Sequence, residues 1–177
     1  MTPIAPRLAD DALDAFHADR ARRNFRRMRT LLGFMAPMHL VFVAVFLVAK
    51  PGTDPVWRTQ IAAAHLAMGA VGALVLATMW HPRLRDSAFA ARVIPLALGL
   101  WYLVGGAVIS AIDQQVTPAV HPFIEASIGV GIALRLSRRE LLVGFLLDYA
   151  VFAAGIVLCQ PDPSLRMSGL VNGFTAA

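Results

Sequence analysis

Leu31-Leu32-Gly33-Phe34-Met35-Ala36-Pro37-Met38-His39-Leu40-Val41-Phe42-Val43-Ala44-Val45-Phe46-Leu47-Val48-Ala49 is a run of nineteen residues without a charge. As a helix it measures about 28 Å, close to the ~30 Å hydrocarbon thickness of a bilayer. Arg26-Arg27-Met28-Arg29 precedes it and Lys50 follows it. Working outward, similar runs occupy Ile61–Trp80, Val93–Ile112, Val120–Leu134 and Leu141–Leu158, and a sixth starts near Met167. The pattern predicts an all-α polytopic membrane bundle of six transmembrane helices. The last run has eleven residues before Ala177, about half a crossing, and ends without a charged stop, so the sixth helix is expected to be truncated and to continue beyond the given chain.

Residues 1–29 form a polar cytoplasmic segment ahead of the membrane module of residues 30–177. Between Leu8 and Arg29 there is no proline or glycine, which predicts a helix, and Asp19 stands four residues before Arg23 at ion-pair spacing. Arg22-Arg23-Asn24-Phe25 superficially matches a twin-arginine export signal. The following run is too long and lacks a small-residue cleavage site, so it reads as the first span.

The whole composition agrees. The 177 residues are 58% hydrophobic and 15% charged, with a mean hydropathy of +0.64, which excludes a soluble globular enzyme. The net charge of +5 does not point to nucleic acid, because the basic residues flank apolar runs instead of forming a separate module. Cys159 is the single cysteine, leaving no intramolecular disulfide and no thiolate cluster.

Orientation follows from the same charges. With the N-terminus and alternate connections in the cytoplasm, 13 of the 16 Lys and Arg residues lie inside; the exceptions are Lys50, Arg58 and Arg166. Pro51-Gly52, His81-Pro82, Thr117-Pro118 and Pro161-Asp162-Pro163 mark the turns.

Ionisable groups within spans are costly, and each is a functional candidate. The outer half is expected to hold Gln60, His65, Asp113, Gln114, His121, Glu125 and Asn172. Centred on Glu125, they either line a pocket open to the outside or form a polar clamp between helices. His39 and Asp148 fall toward the cytoplasmic half and are expected to pair across the bundle. The different depths expected for His39 and His65 argue against a haem between them, and no metal site is expected. No phosphate-binding glycine loop, zinc-protease helix, nucleophile elbow or Cys-x-x-Cys pair is present, so no catalytic site is expected in these residues.

Asn24-Phe25-Arg26-Arg27 entering the first span, Trp57-Arg58 with His65-Leu66, Ile112-Asp113-Gln114, Thr117-Pro118 and Val171-Asn172-Gly173 together resemble the six-span N-terminal sensor region of bacterial GGDEF-type diguanylate cyclases. The resemblance runs from about Asn24 to Ala177. It implies an inner-membrane sensory module governing a cytoplasmic cyclase that makes cyclic di-GMP from GTP. It also implies a homodimer and a small or lipid-borne signal. GTP and Mg are implied only for that missing output domain, and no cofactor for this chain. Sensor regions of adenylate cyclases and histidine kinases share the architecture, and a small transporter or channel is the rival from another class.

Overall fold

The computed structural model describes residues 4–48 and 54–176, and the side chains of residues 11–48 and 54–175. Ala49, Lys50, Pro51-Gly52 and Ala177 lie outside the described residues. Seven helices account for nearly all of the rest, and no strand occurs among the described residues. The chain is all-helical, as its apolar periodicity demands.

Helix α1, Ile4–Val48, is continuous over 45 residues. The expected division at residue 29 is therefore a change of composition and not of backbone. Nothing at Arg29-Thr30 breaks the ladder, and the Thr30 hydroxyl donates to the Arg26 carbonyl within the helix. Pro37 sits in the interior of α1, whereas Pro6 falls in its first turn.

Helix α2, Pro55–Met79, starts where Asp54 accepts the Val56 N–H and Pro55 supplies a preset φ. A single turn, α3 (Pro82–Arg85), leads to α4, Ala88–Asp113, capped by the Ser87 hydroxyl on the Ala90 N–H. Helix α5 is His121–Ala133. Ser137 and Glu140 form a reciprocal capping box at the start of α6, Arg138–Cys159. Helix α7, Pro163–Ala176, begins where the Asp162 carboxylate accepts the N–H groups of Ser164 and Leu165.

Four helices, α1, α2, α4 and α6, are long and apolar enough to cross a bilayer. The expected fourth and sixth spans are helical but shorter. Helix α5 has 13 residues and α7 has 14, about 20 Å each and less than a straight crossing needs. Among the described residues four helices thus reach crossing length, while α5 is shorter and α7 runs 14 residues to the last described position. The short pair lie against each other, and α7 also packs on α6.

Helix α4 is the centre, in contact with α1, α2, α5 and α6. One core cluster joins Leu32 of α1, Ile61 and Met79 of α2, and Leu98 and Leu103 of α4. A second joins Ala107, Phe123, Phe152 and Ile156, with the two phenyl rings stacked 4.2 Å apart. Below the core, Asn24 grips the α5–α6 loop at both ends of a peptide unit's polarity. Its amide donates to the Arg135 carbonyl at 3.1 Å and accepts the Arg135 N–H at 2.9 Å. Arg20 pairs with Glu140 at 3.2 Å beside it.

Candidate functional site: a buried histidine pair

Helices α1 and α2 are locked in register by Arg58, whose guanidinium donates to the Phe46 carbonyl at 2.8 Å and to the Leu47 carbonyl. Seven residues down α1 from Phe46 is His39, and seven along the antiparallel α2 from Arg58 is His65. The two imidazoles meet there, Nδ1 to Nδ1, at 2.9 Å. Gly69 makes the approach possible. A side-chain carbon at that position would stand 3.2 Å from His39 Cβ and 3.3 Å from the Ala36 carbonyl.

The pair is enclosed: His39 is 5% exposed, His65 8% and Tyr102 of α4 9%. The Tyr102 ring stacks on His39, while Phe42 and Phe46 stack on His65. A distance of 2.9 Å between two ring nitrogens admits one hydrogen, so one Nδ1 donates and the other accepts. Two neutral tautomeric arrangements satisfy that bond. Adding a second hydrogen to the facing nitrogens opposes two N–H groups and forces the rings apart. His39 Nε2 and the Tyr102 hydroxyl are buried and have no hydrogen-bond partner among the described residues. Buried polar atoms left in that state favour rearrangement or an added polar partner.

This geometry revises several expectations. His39 and His65 lie at one level, not at two depths. Span ends misjudge the register, because α2 begins at Pro55, six residues before the apolar run that marks it. The expected His39–Asp148 pair does not form. His39 is taken by His65, and Asp148, fully buried on α6, accepts from the Ser127 hydroxyl of α5 at 3.1 Å.

Nor do the outer groups converge on Glu125. Phe123, Ser127 and Val130 form the buried face of α5, and Glu125, two residues from both Phe123 and Ser127, points the opposite way and is exposed. His121 and Asn172 are also exposed, and the Asn172 amide reaches only Ser168 on its own helix. Asp113 accepts from the Trp57 indole at 3.1 Å. Gln114 is buried, donating to the Ala119 carbonyl at 2.8 Å and accepting from the Gln160 amide at 3.0 Å.

Tyr102 and Gln160 are the site residues that sequence reasoning passed over. Each had a faint signal: Tyr102 is one of two tyrosines in the chain and stands mid-span, and Gln160 closes a span end as Gln114 does. Among the described residues, no three His, Cys, Asp or Glu side chains come together as a metal site would require.

No family model, curated protein or solved structure matches the chain.

Proposed function

We propose that this chain is the membrane sensory module of a bacterial signalling protein, with the His39–His65–Tyr102 cluster as its two-state element. The observation that carries the reading is the histidine pair itself. It is a single-hydrogen bond between two titratable rings, buried where α1, α2 and α4 cross, with unpaired polar atoms beside it. One hydrogen between the facing nitrogens holds the rings together and a second forces them apart, so a signal that favours one of these states shifts the helices that carry the pair.

The module spans the inner membrane with its N-terminus in the cytoplasm, supported by the 13 inner basic residues and the four crossing-length helices. The short α5 and α7 complete the bundle as fifth and sixth membrane segments. The output is a diguanylate cyclase acting as a homodimer, consistent with the resemblance of the Asn24 to Ala177 motifs. The signal is a small or lipid-borne molecule.

Three observations test this reading. A reporter fused after Arg85 or Arg139 should be cytoplasmic and one after Asp162 external. The reading frame should continue past Ala177 into a GGDEF-type cyclase. In cells making the whole protein, His39→Gln or His65→Gln should change cyclic di-GMP by about fivefold or more, the lower end of an allosteric coupling, with unchanged amounts of protein in the membrane. Output equal to wild type in both variants would overturn the role of the pair, and a reading frame without an output domain would overturn the sensor.

A further inference from the structure

Midway along α1, four arginines line one recess of about 320 Å³: Arg22, Arg26 and Arg29 of α1 and Arg85 of α3. Spacings of four and three residues bring the first three onto one helical face. Asp86, Ser87 and Ala91 supply the far wall, so the start of α4 borders the cavity and one carboxylate shares it with the four arginines. The positive end of the α4 dipole lies at the recess, while the Ser87 and Ala91 N–H groups bond the Leu84 and Ser87 carbonyls and the Ala90 N–H bonds the Ser87 hydroxyl.

Three of the four guanidiniums have no carboxylate partner among the described residues, and Arg85 is paired with Asp86 of the same recess. Among the described residues the arginine–carboxylate pairs are Arg20–Glu140, Arg23–Asp19 and Arg85–Asp86. Arg22 and Arg26 have no such partner, and Arg29 lies 4.4 Å over the Trp80 ring. Guanidinium forks match the oxygens of a phosphate, and grouped arginines in one concave site bind it with two-pronged hydrogen bonds.

Depth indicates the source of that phosphate. Arg29 is two residues before the charge-free run that opens at Leu31. Exposed apolar rings stand next to the lining residues: Trp80, under the Arg29 guanidinium, is 62% exposed, and Phe89, two residues after Ser87, is 76% exposed. We infer that this recess binds the phosphate headgroup of an anionic phospholipid, with the acyl chains lying along the exposed apolar side chains near it. The volume is at the small end of the ~300–1,000 Å³ range of ligand sites and suits one headgroup. Basic recesses between helices at the cytoplasmic boundary are suited to such lipids. The assignment rests on the proposed membrane location.

The test uses the full chain in neutral detergent, with retained lipid counted by native mass spectrometry in mixtures of phosphatidylglycerol and phosphatidylcholine. Wild type should prefer phosphatidylglycerol. The variant R22Q/R26Q should lose about thirtyfold of that preference, two arginines each at the usual strength of a basic residue beside an anionic surface. R26Q alone should lose about fivefold and keep wild-type elution and helicity. R83Q/R138Q removes the same charge from the same end but outside the recess, and should keep the preference. Equal retention of the two lipids by wild type, or equal loss in R83Q/R138Q, would overturn the site. Displacement of the lipid by millimolar inorganic phosphate would assign the recess to a soluble phosphate compound and overturn the lipid. A chain that stays dispersed in buffer without detergent would instead refute the membrane location.

Discussion

Replacing Gly106 by Ala puts one methyl group where α4 and α5 touch. That carbon would stand 2.5 Å from Ala126 Cβ and 2.7 Å from the Pro122 carbonyl oxygen. Carbon pairs at rest are ~3.5–4.0 Å apart, so the helices must separate by roughly 1 Å. No rotamer relieves the clash, because the nearest oxygen is backbone. Overpacking of this kind costs about 1–3 kcal/mol. One turn further on, the buried Ser110 hydroxyl accepts the Phe123 N–H at 2.9 Å, and stretching that bond adds about 1 kcal/mol. Alanine's better helix propensity returns about 1 kcal/mol. The net expectation is a loss of about 1–3 kcal/mol.

Unfolding in mixed micelles of rising SDS content, followed by tryptophan fluorescence, measures it. Gly129→Ala is the control on the same α5, since no atom lies within 4 Å of its added carbon. It should be neutral or gain up to about 1 kcal/mol. A Gly106→Ala protein as stable as wild type, or a Gly129→Ala loss of equal size, would refute the α4–α5 packing.

Gln114→Leu strips the acceptor from the buried Gln160 amide and should cost about 1–3 kcal/mol, whereas Gln114→Leu with Gln160→Leu should recover part of it. Additivity of the two single changes in the same unfolding assay would count against the contact. At the start of α7, the Ser164 hydroxyl, then the Leu165 and Ser164 N–H groups, hold the Asp162 carboxyl below its ordinary value. Its contribution is therefore complete above the ordinary carboxylate value and disappears as pH falls through the lower folded one. Amide protection at Ser164 and Leu165, taken relative to the intrinsic exchange rate at each pH, should fall in acid in wild type, and Asp162→Asn should remove that step; a step that survives the substitution would contradict the cap.

The helices were legible because their signals are local. Their starts were less so: apolar runs opening at Ile61, Val93 and Leu141 miss the caps at Asp54, Ser87 and Ser137, which begin α2, α4 and α6 three to six residues earlier. Crossing length was legible for four segments because it depends on an unbroken apolar run. The site was harder to read for two physical reasons. Depth counted from the edge of an apolar run ignores the register between helices, which Arg58 and Gly69 set through backbone contacts. Helix α5 is apolar on nearly every side, so no polar stripe marks which face is inward, and Glu125 drew attention to the wrong one. Asn24 shows the same limit: its grip on Arg135 spans 111 residues, and no local pattern encodes it.

Pro37 lies two residues from His39 and thirteen from Asn24. It has no N–H to bond the Gly33 carbonyl, so α1 is softest at that turn. From Pro37 down to Asn24 the helix is an arm about 20 Å long. A bend of about 10° at Pro37 would swing Asn24 through roughly 3–4 Å, more than a hydrogen bond can stretch. The Asn24–Arg135 clasp therefore acts as a stop on the angle of α1: the arm stays still, or it carries the α5–α6 loop with it.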